Sequence, residues 1–488
     1  MDKKASVKQV LLYSLINYVG MAIGIVSVLY IYPRNNTFAG TVRLVDNISQ
    51  LLFPVMVLGA SHALIKFYPA LTPQKRLQLF NYSIYSIIII SIAILLGLVL
   101  FTNVADYENS GLLYYAFPIA VSLAFIELFK KQSQDLQRIA VPTLFEKIIP
   151  KIILPVVFLL MLYKGLAQEA SLYIYTAGYI LILLLTSVYL FRHFKPGFNY
   201  RFKTLFGEIS RKDYFRYSLY SFAGSLGSML AFRIDGLIIP EFFSLADNGV
   251  FGYAVTLAST IQIPAVGLFA LYAPLISSYL KSENFKELSL KYKDVAKLLF
   301  FIGALLYSCI FLGVKDLFMM LPTYDKISGA IPVIYVLGLS VVVNMATGFN
   351  SEIITYSKYY RFNLITVALL ILFNVTFSLY AVYYTNLGIV GIAWASFASM
   401  ALFNIAKLVF IYKKFGLHPF DTDYIKLAVV FGVCVMGVYL LPDTLSHLFN
   451  LMYKITLSLS INVMVIYRLK LVHQVNLYID KVVARLVK

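Results

Sequence analysis

Arg233 and Asp235 put charge into residues 217–262, a stretch that is otherwise almost wholly apolar. At the centre of a membrane helix such a residue costs about 2.5–3.5 kcal/mol on insertion scales, so it normally faces a bundle interior or a water-filled cavity. Ser221, Ser225, Ser228 and Asp235 recur at helical spacing, which gives one helix a polar stripe. An arginine there offers forked donors to a phosphate or carboxylate. An aspartate there is a candidate carrier of a proton or cation. The stripe therefore reads as the wall of a pathway, with Arg233 snorkelling to outer headgroups as the other reading.

A second group precedes it. In TVRLVDNISQLLFPVMVLG, the residues Arg43, Asp46, Asn47 and Gln50 follow the i, i+3, i+4, i+7 rule and share one helix face. They form either a cavity wall or a headgroup anchor in which Arg43 pairs with Asp46. Glu127 lies inside an apolar span with Lys131 one turn on, a structural pair or an ion-linked one. Glu352, with Asn344, Thr347 and Ser351, gives another span a polar face. Lys151 and Lys407 lie towards the cytoplasmic ends of their spans, where snorkelling accounts for them. His62 reads as a packed or pore-lining polar residue.

Several chemistries are excluded. No GxxxxGK[ST] loop is present, so this chain does not hydrolyse ATP through a P-loop. The two cysteines, Cys309 and Cys434, lie in apolar spans without metal-type spacing, and five histidines are too few for a transition-metal site. Asp106 and Glu108 superficially match the acidic pair of membrane glycosyltransferases, but their turn is short and no sizeable outer domain surrounds it. The sequence thus points to a non-enzyme without a cofactor or metal.

The elements that position these residues follow from composition. The 488 residues are 60% hydrophobic and 13% charged, and long apolar runs recur from end to end. This is an all-α polytopic membrane protein rather than a β-barrel, because the runs are continuous. Taking about 20 apolar residues per crossing predicts fourteen helices: 9–32, 42–65, 80–101, 112–131, 143–163, 170–191, 214–239, 248–280, 294–313, 328–356, 361–384, 388–411, 424–442 and 447–467. Span 248–280 is long enough to tilt, to kink at Pro264 or Pro274, or to project beyond the bilayer. The opening MDKKASVKQV and its apolar run read as a retained first helix, not a cleaved leader.

The net charge of +18 reflects basic loops rather than nucleic-acid binding. Lys and Arg crowd alternate loops, among them Lys75 and Arg76, Arg192 and Lys195, Lys286 and Lys291, and Lys413 and Lys414. The turns ADYENSG, EFFSLADN and YYTNLG hold none. This asymmetry predicts an even helix count with both termini in the cytoplasm. The chain also repeats itself: Tyr13-Ser14-Leu15 against Tyr217-Ser218-Leu219, Gly40 against Gly249, Pro54 and Gly59 against Pro264 and Gly267, Pro118 against Pro332. Six helices separate the copies, so the two halves run parallel about an axis along the membrane normal. The expected units are residues 1–200 and 201–415, six helices each around a central cavity. Helices 13–14 (416–467) and an amphipathic cytoplasmic tail (468–488, with Leu471, Val475, Tyr478, Val482 and Leu486 on one stripe) follow. The basic loop 192–213 is the seam.

This organisation resembles the multidrug/oligosaccharidyl-lipid/polysaccharide exporter superfamily, and within it the polysaccharide transporter branch of Wzx-type O-antigen and capsule flippases. The resemblance rests on Arg233 and Asp235, a turn, and then Gly249, Gly252, Tyr253 and Ala254. The first-half copy, Ala39, Gly40 and Arg43, is poorer. The resemblance implies a flippase in a bacterial inner membrane. It would carry a polyprenyl-pyrophosphate-linked oligosaccharide to the outer leaflet by alternating access. It implies substrate contacts at Arg43, Arg233, Asn47, Gln50, Lys151 and Lys407, with ion or proton coupling among Asp46, Asp235, Glu127 and Glu352. Implied partners are membrane lipids and the polysaccharide polymerase and chain-length machinery, for a protein acting as a monomer. A cation-coupled multidrug exporter of the same superfamily is the alternative, though it should prefer an acidic cavity. A non-transporting scaffold in an envelope-synthesis complex is a third reading, and it gains nothing from buried charge.

Overall fold

Several helices begin at a capping side chain or bend at a proline or glycine. A computed structural model describes residues 19–104, 108–136, 138–197, 199, 201–444 and 446–486. Outside the described residues lie the first part of span 1 with Tyr13-Ser14-Leu15, and Asp106; of the side chains of Ser228, Val482 and Leu486 nothing is described.

The first unit runs to Gly249. It contains α1 (Val19–Arg34), α2 (Asn36–Val57), α3 (Ala60–Phe67), α4 (Pro73–Val104), α5 (Leu113–Asp135), α6 (Ala140–Lys164), α7 (Gln168–His193), the short α8 (Phe202–Leu205), α9 (Arg211–Arg233) and α10 (Asp235–Phe242). Asn35 caps α2 by accepting from the Phe38 amide at 3.0 Å, the role its short carbonyl side chain suits. Pro54 lies inside α2, and the helix ends four residues on at Leu58 and Gly59, both left-handed at φ 43° and 76°. The chain bends by 46° there into α3. A Cβ on Gly59 would strike the Ser218 carbonyl, so glycine meets both the φ and the close approach. Helix α5 lies at the centre, packed by α2 and α7. Its apolar window is 56% buried, against 11% for α4, which turns Ile88, Ile89 and Ile92 outward.

The second unit starts at Val250. Helix α11 (Leu245–Ser259) crosses the boundary; α12 (Ile263–Lys281), α13 (Phe285–Met319), α14 (Tyr324–Ile327), α15 (Ala330–Ala346) and α16 (Asn350–Tyr356) follow. Then come α17 (Phe362–Tyr384), α18 (Ile389–Phe415), α19 (Thr422–Tyr439), α20 (His447–Arg468) and α21 (His473–Leu486). Helix α13 packs on α15 and α20, and α18 on α15 and α17. Asn284 caps α13 and Asp421 caps α19. Helices α15 and α16 bend by 50° at Gly348, φ 66°. The interruption of span 8 comes as a 3₁₀ turn, Thr260–Gln262, just before Pro264.

The class predicted from sequence holds: the described residues are helical, without a strand. By length and composition eight helices can cross a membrane, or ten if each bent pair is one span. The other predicted crossings fall on α1, α6, the α9–α10 pair and the α11–α12 pair. Helix lengths exceed the apolar runs. Helices α4 and α13 have 32 and 35 residues, because charged turns such as PQKRLQL and FKELSLKYKDV continue them beyond the membrane-compatible part. In the tail, Leu471 is buried and Val475 packs beside it, but Tyr478 points outward at 71% exposure.

Candidate functional site

Helix α2 presents Arg43, Asp46 and Asn47 to the junction where α9 ends at Arg233 and α10 begins at Asp235. Arg233 Nη1 donates to Asp46 Oδ2 at 3.2 Å and to Asn47 Oδ1 at 3.0 Å. The other Asp46 oxygen accepts from Tyr179 on α7 at 3.2 Å, with the Tyr175 hydroxyl 3.3 Å further on. Asp46 is therefore held by Arg233 and a tyrosine; Arg43 is held elsewhere. Arg43 Nη1 donates to the Asn248 carbonyl at 2.8 Å and to its side-chain oxygen at 2.9 Å. The Asn248 amide in turn donates to the Gly40 carbonyl at 3.0 Å. Asp235 lies within electrostatic reach of Arg43. Arg233 and Asp235, two apart in the sequence, both come within reach of the α2 face, Arg233 through hydrogen bonds and Asp235 electrostatically.

Glycines allow the approach. A Cβ at Gly236 would collide with the Asn47 side-chain amide and come within 3.5 Å of Arg43 Nη2. The Asn47 Nδ2 atom is buried without a hydrogen-bond partner, an arrangement that costs about 1–3 kcal/mol. The Arg233 and Asp46 side chains are 31% and 26% exposed. They are not a sealed core pair. Gln50 continues the same face, half-buried.

Lower on the same unit a cavity of about 500 Å³ is lined by His62, Glu127, Ser221 and Ser225, with Phe53 and Phe222 among its apolar walls. The serine stripe read from the sequence faces this cavity at two positions. Glu127 pairs with Lys130 at 2.9 Å and with Lys131 at 3.6 Å, and Lys130 reaches Glu146 on α6 at 2.8 Å. The sequence pointed to Lys131; Lys130 is the closer partner because Glu146 draws it between two carboxylates. Lys151 packs beside Gly20 of α1, half-buried.

In the second unit, Lys407 of α18 is 3% exposed. Its ammonium donates to Ser351 Oγ at 2.8 Å and sits 3.9 Å from the centre of the Phe403 ring. Ser351 donates to Asn350, whose amide donates to Thr347 and Asn404, and Asn404 donates to Asn344. This polar network fills the break at Gly348. Glu352 lies within electrostatic reach of Lys407. The structure therefore brings Glu352, Ser351 and Lys407 together, whereas the sequence left the lysine at a membrane surface. Asn248, Tyr179 and Asn404 were missed. Tyr179 stands one turn from Tyr175 and Asn404 three residues from Lys407, but tyrosine and asparagine are common in such spans, so neither spacing singled them out.

The fold and the charged cluster are those of a multi-pass α-helical membrane protein, and solved transporters share its architecture. Over 94% of this chain and 99% of the other, the structure matches lipid II flippase MurJ in an inward closed conformation, with TM-score 0.70 and 14% identity. An inward-facing multidrug resistance MATE family transporter of the MOP superfamily matches 83% of this chain and 98% of its own, with TM-score 0.60 and 16% identity. An outward-facing transporter of the same description matches 84% and 96%, with TM-score 0.56 and 14% identity. No protein-family model matches the sequence, and no curated protein does. The shared property is the MurJ/MATE-type fold.

Proposed function

We propose that this chain is a flippase that moves a polyprenyl-pyrophosphate-linked oligosaccharide from the cytoplasmic to the outer leaflet by alternating access. The observation that supports this most is the half-open cluster of Arg43, Asp46, Asn47 and Arg233 on one wall of the first unit. A pyrophosphate leaving water needs forked cationic donors, and two guanidinium groups meet that need. Asn47 and Gln50 supply hydrogen-bonding wall for sugar hydroxyls. Asp46 and Asp235 are the carboxylates beside the arginines, hence the coupling candidates next to the headgroup; Glu127 and Glu352 are the candidates away from it. Lys151 stands as a further basic contact. The likeness to a lipid II flippase covers nearly the whole chain and supports this reading over a drug exporter. The chain then belongs in a bacterial inner membrane with both termini cytoplasmic, working as a monomer beside the polymerase and chain-length machinery.

The test is a deletion strain. Lipid-linked precursor is expected to accumulate on the inner leaflet, and surface polysaccharide to disappear, both restored by the wild-type chain. Normal precursor turnover with altered efflux of cationic dyes would instead identify a multidrug exporter.

Lys407 allows a separate check. Its burial and its hydrogen bond to Ser351 make it a tie between α16 and α18. Removing one partner of a buried charged pair is destabilising, by up to about 3–5 kcal/mol, because the other charge is left uncompensated. Lys407→Met, which strands Glu352, is therefore expected to lower the thermal midpoint in detergent while the folded protein retains export. Lost export at unchanged stability would put Lys407 on the substrate path.

A further inference from the structure

Outside the charged cluster, the first unit carries a groove of about 430 Å³ between α4 and the end of α7. Its throat is apolar and aromatic, formed by Ile84, Tyr85 and Ile88 of α4 and by Phe191 and Phe194. Lys195, exposed, lies at its edge, and Arg192, also exposed, comes three residues earlier in the chain. From Arg192 to Leu205 the chain holds four Lys or Arg residues and no Asp or Glu. The groove is built rather than incidental. Buried Asn81 donates to the Gly197 carbonyl at 3.0 Å, and Gln78 donates to Asn199 at 3.2 Å. Phe194 stacks edge-on against Phe80 at 5.0 Å, which fixes the start of the loop on α4. Gly197, at φ 62°, turns the loop back over the helix. Helix α4 is the least buried of the eight membrane-compatible helices, and it turns Tyr85 and Ile88 of the groove outward.

An apolar channel on an outward-facing helix, ending at a basic segment that holds no Asp or Glu, fits one class of molecule. We infer that this groove binds an anionic membrane phospholipid, with one acyl chain along Ile84 and Ile88 and the phosphate at Lys195 and Arg192. The volume falls within the range of ordinary small-ligand sites. The charge complementarity selects an anionic headgroup over a zwitterionic one. Neither the groove nor its basic edge belongs to the charged cluster, so this assignment stands apart from the transport reading.

Native mass spectrometry of the full chain in detergent tests it, with phosphatidylglycerol and phosphatidylcholine of identical acyl chains at equal concentration. Wild-type protein is expected to retain phosphatidylglycerol preferentially. Lys195→Glu should lower that retention by about fivefold or more, since a basic residue at an anionic surface contributes about 1 kcal/mol. Lys164→Glu, an exposed lysine at the end of α6, should have no effect. Ile88→Trp, which fills the throat, should reduce both lipids. If Ile88→Trp fails to fold, exposed Lys195 carries the test alone. Equal retention of the two lipids by wild type, or an inert Lys195→Glu, overturns the assignment. Displacement of phosphatidylglycerol by an equal amount of polyprenyl phosphate also overturns it, because the groove would then hold a cargo-type lipid.

Discussion

Arg233→Ala, expressed at wild-type level, is expected to cut polysaccharide export by about 10- to 150-fold. That range is the loss of one hydrogen bond to a charged group, about 1.5–3 kcal/mol. The same variant should leave lipid-linked precursor inside. The guanidinium bridges Asp46 and Asn47, so its removal could act in two ways: by withdrawing a donor from the cargo phosphate, or by leaving Asp46 unpaired. The double variant Arg233→Gln with Asp46→Asn separates them. It keeps hydrogen-bonding groups of similar size and removes both charges together. Breaking a pair by one partner costs more than replacing both, so a purely structural pair would be rescued by the double change. The expectation is no rescue: polysaccharide absent from the surface, with a thermal midpoint near that of wild type. Wild-type export in Arg233→Ala would remove this residue from the mechanism. Asp235→Ala should likewise abolish export, as a carboxylate within reach of Arg43.

The α2 face shows what a sequence can disclose. Arg43, Asp46, Asn47 and Gln50 share a helix side by spacing alone, and the structure keeps them there. Their partners are another matter. Asp46 takes Arg233, 187 residues away, and Arg43 takes Asn248, 205 residues away. Within α2, Arg43 and Asp46 are three apart and could have met; tertiary packing of α9 and α10 decides otherwise. Glu127 repeats the lesson on a smaller scale. Lys130 and Lys131 are both within reach on the helix surface, and Glu146 on the next helix selects the first. Lys407 marks the limit on the other side. Basic residues near helix ends normally snorkel, and only the break at Gly348, which lets Ser351 turn towards α18, buries this one. Helix placement was legible because hydropathy reports it directly. The bends at Gly59 and Gly348 were not, because a left-handed glycine leaves no periodic trace; the interruption before Pro264 was, because proline marks it.

The crossing of α2 with the turn that opens α11 predicts the largest purely steric effect. A Cβ on Gly40 would run into the Leu245 carbonyl and would also crowd the Gly249 amide. One on Gly249 would meet the Asn36 carbonyl. Both obstacles are backbone, so no side chain can swing aside. The pair is also the scaffold of the charged cluster, since the Asn248 amide bonds the Gly40 carbonyl while its oxygens hold Arg43. Gly40→Ala must therefore push the two segments apart. Overpacking of this kind typically costs about 1–3 kcal/mol, and it should loosen the seat of Arg43. The expected result is a lowered thermal midpoint in detergent together with strongly reduced export. Gly97→Ala serves as the control: Gly97 lies in α4 with nothing within 4 Å of an added Cβ. There alanine should be neutral or stabilising by about 0.4–1 kcal/mol, through a less flexible unfolded chain. Unchanged stability and export in Gly40→Ala would mean that α2 and the α11 turn do not meet at these glycines, and the anchoring of Arg43 by Asn248 would fall with that contact.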